Sequence, residues 1–178
     1  MRKPIYFLIG WLILWGGCSG DSRYDSNISV PKGDPQFPPL KTSWVIDQAD
    51  VISDSVTVGG DAICQKLKED GIAEVVIVII NGVKHPEDWA THYGRWLELG
   101  RKGLSGEGGN NGMVWLIRPD SENKITISVG RGLPQFTTSD YSPIMEKAAD
   151  YLNFNNFDRG VMELARGTDQ VLRRIYGK

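Results

Sequence analysis

"EVVIVII", residues 74–80, and "GMVWLI", residues 112–117, are the two stretches that decide the fold. Both are apolar almost throughout, without the alternation that marks a strand with one wet face, so each reads as a strand covered on both sides. Between them "HPEDWATHYGRWLELG", residues 85–100, reads as a helix. Pro86 takes its first position, Glu87 and Asp88 its first turn, and Gly100 its stop, while Trp89, Tyr93, Trp96 and Leu97 form an apolar stripe.

Working outward, "WVID" at 44–47 is a short entering strand, and Ser53 to Asp70 reads as a helix with Val56, Ile63 and Leu67 inward. Gly59 and Gly60 weaken its first half, so regular helix is expected from Asp61. On the far side "KITISV", residues 124–129, alternates apolar and polar residues. It joins its predecessor through "RPDSENK", predicting an antiparallel hairpin at one edge of the sheet. Two helices close the chain. One is expected from Ser142 to Leu152, and one capped by Asp158 with Val161, Leu164, Ala165, Thr168, Leu172 and Ile175 on one face. Strands interleaved with helices around buried central strands predict an α/β fold, a three-layer α/β/α sandwich over a small mixed sheet.

The 178 residues, 40% of them hydrophobic, suffice for one domain with a real core. At residues 1–17 the chain reads as an export signal, with Arg2 and Lys3 ahead of an apolar run from Ile5 to Trp15. That run is short for a membrane span. The sequence Trp15-Gly16-Gly17-Cys18 resembles a bacterial lipobox, with Trp15 where a leucine-like residue is usual, and implies lipid attachment at Cys18. An uncleaved N-terminal anchor is the alternative. Both place the remainder outside the cytoplasm, in the cell envelope, and Ser19 rather than aspartate after the cysteine favours an outer membrane. Residues 18–41, with Pro31, Pro35, Pro38 and Pro39, read as an extended linker between the lipid and a domain over 42–178.

The formal charge of −2 falls further without Arg2 and Lys3, which leave 18 basic against 22 acidic residues. No basic stripe with interleaved aromatics is present, so nucleic acid is excluded as a natural partner class. With Cys18 acylated, Cys64 has no disulfide partner, and its place beside Ile63 and Leu67 reads as a buried thiol.

Three loops are rich in oxygen ligands: Asp47 and Asp50 after the first strand, Glu107 to Asn111 before the apolar strand, and Gly130 to Asp140 after the last. In open α/β sheets ligands collect where such loops converge, and carboxylates, amide oxygens and glycine-exposed carbonyls suit a hard divalent cation. The same residues also serve as ordinary turn chemistry, with Asp140 capping the helix after it. Spacing leaves both readings open.

Taken together, "WVIDQADVIS", "VVIVII", "DWATHYGRWLELG", "NNGMVWLI", "ITISVGRGL", "TTSDY" and "NFDRGVMEL" resemble the TPM domain family, also called TPM phosphatase domains. The likeness runs from Thr42 to the C-terminus, with Asp50 where a glycine is frequent and an extra "SGEGG" before the asparagines. The resemblance implies a three-layer fold, calcium binding in some members, acid phosphatase activity in others, and accessory roles in membrane complexes. Carried over by position, Asp47, Asn111 and Asp140 are the expected metal ligands, with Asp50 and Asn110 weaker, and Gly112, Gly130 and Gly132 shape the loops. The ion expected is calcium, with magnesium as the alternative.

Familiar catalytic signatures are missing. "GLSGEG" around Ser105 has Glu107 where a nucleophile elbow needs glycine, and Asp70 stands where a cysteine phosphatase loop around Cys64 would need arginine. "GRGLPQ" fails the dinucleotide fingerprint at Gln135. His85 and His92 lack metal spacing: His85 precedes a helix start, and His92 is one turn from Asp88. Two functions remain. One is a membrane-tethered module that binds a divalent cation and supports an envelope complex. The other is a metal-assisted phosphomonoesterase, for which Arg131, Arg101 and Lys102 are the basic candidates near the loops.

Overall fold

The two apolar runs become neighbouring strands at the centre of one sheet. The computed structural model describes residues 24–40, 43–100 and 109–177. The expected signal segment and Cys18, together with Arg101, Lys102, Ser105 and Glu107, lie outside the described residues. In chain order the elements are β1 (Val45–Asp47), α1 (Asp54–Glu69), β2 (Glu74–Ile79), α2 (Pro86–Trp96), β3 (Gly112–Ile117), β4 (Ile125–Val129), α3 (Thr138–Leu152) and α4 (Phe157–Tyr176). The strands lie in the order β1-β2-β3-β4. The first three run parallel, and β4 returns antiparallel along β3 as the outer arm of the expected hairpin.

Every residue of β2 and β3 is buried, as their almost wholly apolar sequence requires. Val45, Ile77 and Trp115 are in register and share one face. On that face α1 presses Gly60 against Val45, and Thr168 of α4 accepts a 2.9 Å hydrogen bond from the Trp115 indole. α3 packs on α4. Val114 and Ser128 point the other way, toward α2, where Gly94 faces Val114 and Thr91 lies 3.2 Å from the Ser128 hydroxyl. Helices thus cover both faces of a small mixed sheet. The crossovers carrying α1 and α2 step the same way along the sheet yet lie on opposite faces, so they have opposite hands, and one is of the rare left-handed kind.

Several element ends differ from the sequence reading. α1 is helical from Asp54, straight through Gly59 and Gly60, because Gly60 is where the helix comes closest to β1. α3 starts at Thr138, ahead of Pro143, since Asp140 anchors its first turn by accepting from the Thr137 N–H and hydroxyl at 3.0 Å. Asn156, not Asp158, caps α4. Asp158 instead accepts from the backbone and hydroxyl of Ser53, tying the starts of α1 and α4 together. His92 does not rest on Asp88; its Nδ1 lies 3.3 Å from the Ser29 carbonyl.

The proline-rich stretch read as a free spacer is a strap from Tyr24 to Leu40 laid against α2, which corrects the linker reading over those residues. Phe37 is buried among Trp89, Tyr93 and Trp96, and Tyr24 stacks on Trp96 with ring centroids 4.3 Å apart. The prolines leave carbonyls without competing N–H groups nearby, and α2 uses them: Trp89 donates to Pro35 at 2.9 Å and Tyr93 to Pro38 at 2.8 Å. Asp34 accepts from the backbone of Lys84 and His85 just before α2 begins. Burying an aromatic such as Phe37 stabilises the fold by roughly 1.5–3 kcal/mol, which outweighs the ordering of one side chain.

Candidate functional site

Parallel strands fix where the loops go. Asp47 ends β1, whereas Asn111 sits just before Gly112, the first residue of β3. Because β1, β2 and β3 run the same way, Asp47 is level with Ile79 and Ile117, at the opposite end of the sheet from Asn111. The six-residue strands separate those ends by about 16 Å at roughly 3.3 Å per residue. The expected convergence of all three oxygen-rich loops therefore does not occur: Asp47 cannot share an ion with Asn111.

Each predicted residue has a definite occupation. Asp47 accepts from the backbone N–H groups of Ala49, Val51 and Ile52 at 2.8–3.0 Å, so its carboxylate folds the loop after β1. Asp50 holds a left-handed backbone inside that loop, with φ of 55°. Asn111 is buried, and its side-chain amide donates to the Ile72 carbonyl at 3.0 Å. Asp140 accepts from Thr137 and, at 2.9 Å, from the Arg174 guanidinium. Its carboxyl is held below the ordinary carboxylate range, first by the Thr137 backbone N–H, then by the Thr137 hydroxyl and Arg174.

Asn110, Gly112, Gly130 and Gly132 do come together. They form a corner where the approach to β3 crosses the exit from β4. Asn110 is left-handed, with φ of 57°, and its carbonyl accepts from Gly132 N–H at 2.8 Å. Gly130 N–H donates to the Gly112 carbonyl at 2.8 Å. A Cβ on Gly130 would overlap the Asn110 carbonyl, and one on Gly132 would lie 2.7 Å from the Asn110 carbonyl carbon.

Glu74 completes the corner and escaped sequence reading. It is fully buried at the start of β2, accepts from Gly100 N–H at 2.8 Å, and has Lys68 3.4 Å away. A lone carboxylate opening an otherwise apolar strand was the available signal. Beside the corner a cleft is bounded by Asn111, Gly132, Leu133, Asp70, Arg173 and Tyr176. Arg173 is fixed by Asp70 at 2.6 Å and Asp169 at 2.7 Å.

Among the described residues no three His, Cys, Asp or Glu side chains are grouped to hold a metal ion. Cys64 is buried, and burial pushes its thiol well above the ordinary range, which leaves it unreactive. The resolved carboxyl shifts, at Asp70 and Asp140, are downward, and the resolved lysine shifts, at Lys66 and Lys147, are upward. These are the shifts of standing ion pairs and caps. An acid or base working near neutrality needs the reverse.

Such a molecule is a small α/β domain whose loops close on a glycine-packed corner. Residues 45–171 match the family model described as the TPM domain, and the chain belongs to that family. No curated protein shows significant similarity to it. Two solution NMR structures are alike in fold. The N-terminal domain of a P. gingivalis protein has a TM-score of 0.63 at 20% identity, over 75% of this chain and 84% of that one. The N-terminal domain of a Corynebacterium glutamicum protein has a TM-score of 0.56 at 18% identity, over 80% and 86%.

Proposed function

We propose that this TPM domain is a binding module held at a membrane outside the cytoplasm through lipidated Cys18, serving as an accessory or assembly factor of an envelope complex. The observation that carries the choice of binding over hydrolysis is the state of its polar groups. Asp47, Asn111 and Asp140 are already engaged in holding backbone and helix ends. Hydrolysis of a phosphomonoester needs an acid, a base and phosphate clamps around one point, whereas binding needs only a rigid, shaped surface. The corner around Asn110 and Gly130 supplies that rigidity through backbone hydrogen bonds and close packing.

The set Asp47, Asn111 and Asp140 does not fit one divalent ion, because the sheet separates its members. Calcium, ahead of magnesium, stays as a separate proposal centred on the Asn110–Asn111 end.

Three measurements on the full-length chain test this reading. Turnover of p-nitrophenyl phosphate should stay at the level of a protein-free control; turnover proportional to protein and lost in Asp140→Asn would establish the phosphatase instead. Calcium at millimolar concentration should raise thermal stability if the folded state holds the ion, and no rise over a chelator control would remove calcium. Cys18→Ser should release the protein from the membrane fraction, and continued attachment would overturn the lipid tether.

A further inference from the structure

The groove between α2 and β4 ends at the glycine corner and adds to it side chains that the corner's own packing does not use: Thr91, Arg95, Ser128 and Arg131. Thr91 and Arg95, one helical turn apart on α2, face Ser128 on β4 and Arg131 just beyond it, with Asn110 at the end. Gly94 makes the groove possible: even a Cβ there would come within 3.2 Å of Val114, so only glycine lets helix and sheet close at this point without displacing a neighbour. At its floor the Thr91 and Ser128 hydroxyls lie 3.2 Å apart and are partly buried.

The two arginines set the charge. Arg173 and Arg174 are bound to carboxylates, Arg118 to the Asn123 carbonyl, and Arg159 lies over the Tyr151 ring. Arg95 and Arg131 are exposed, and among the described residues neither has a carboxylate within ion-pair distance. Two guanidiniums without a carboxylate partner border one groove in a chain of net negative charge, which makes this spot favourable for an anion. Guanidinium forks match the oxygens of a phosphate, and the hydroxyls and the Asn110 amide add neutral donors.

We infer that this groove binds a small dianionic oxyanion, a phosphate group, clamped between Arg95 and Arg131. The side chains that border the groove among the described residues are basic, neutral or apolar, and we assign the groove retention of the anion. The groove meets the end proposed for calcium at Asn110, and the chelator in the test below separates anion binding from any bound cation.

The test is a titration of the full-length chain with inorganic phosphate in the presence of a chelator, followed by calorimetry and amide shifts. Saturable binding is expected at millimolar phosphate or below, with shifts at Thr91, Asn110, Ser128 and Arg131. Arg95→Gln and Arg131→Gln should each weaken it at least tenfold. Arg166→Gln, at another exposed arginine on α4, should leave it unchanged. Absence of saturable binding, equal loss in Arg166→Gln, or acetate binding as tightly as phosphate would overturn the proposal. Phenyl phosphate binding more tightly than inorganic phosphate would uphold the site with an esterified phosphate as its ligand, and the opposite order would uphold it with the free ion.

Discussion

A Cβ at Gly130 has no room, since it would overlap the Asn110 carbonyl and stand 2.8 Å from the Gly112 carbonyl. Gly130→Ala is therefore expected to destabilise the domain by about 1–3 kcal/mol, the range for forced overpacking, as read from urea unfolding midpoints. Asp140 makes a prediction in pH. Its carboxyl is lowered from 3.8 in the folded state, so the unfolded chain binds the proton first and the carboxylate stabilises the fold above that value. That contribution is lost as pH falls through the depressed folded value. The stability gap between wild type and Asp140→Asn should be constant near neutrality and should narrow as pH falls below about 4 and Asp140 takes up its proton. A gap that widened on acidification would contradict the assignment. At this scale the sequence offered Asp140 both as a ligand and as a helix cap, and Asp47 as a ligand; which N–H groups each carboxylate accepts from depends on how the chain turns beside it, which spacing alone does not give.

Elements were legible where burial dictates pattern and less so where packing overrides propensity. The almost wholly apolar strings of β2 and β3 and the alternation of β4 announced a covered sheet with a hairpin edge. Gly59 and Gly60 argued against helix by propensity, yet α1 runs through them because Gly60 sits against Val45. The two glycines should then behave differently. A Cβ at Gly59 meets only Met162 at an ordinary 3.7 Å, so Gly59→Ala should stabilise by about 0.5–1 kcal/mol in thermal or urea unfolding. Prolines signal an extended backbone without saying what lies beside it, and in the strap it is Phe37 that carries the packing. Phe37→Ala should cost about 3 kcal/mol, as for other buried aromatics. Hydrogen exchange at residues 24–40 should rise more than in β2, and uniform change across the domain would show that the strap is not a separate unit.

For the whole molecule, strand direction decides which loops meet. Asp47 closes its strand and Asn111 opens the approach to another, so parallel strands alone place them at opposite ends. That much was available in the sequence, once direction was considered together with periodicity. The hand of the crossovers and the burial of Glu74 were not, since both depend on which face each helix covers. An ion that bound at both ends would show two stoichiometric sites in a calcium titration, and shifts confined to residues 110–112 and 130–132 would show one. The aromatic strap has a mechanical consequence as well. It joins the N-terminal side of the domain to α2 through Tyr24, Phe37 and the carbonyls of Pro35 and Pro38. A pull exerted from the N-terminal side loads ring stacking and two hydrogen bonds before it reaches the sheet. The strap would peel first, leaving the strands intact, so it would act as a strain relief between a load on the N-terminal side and the fold.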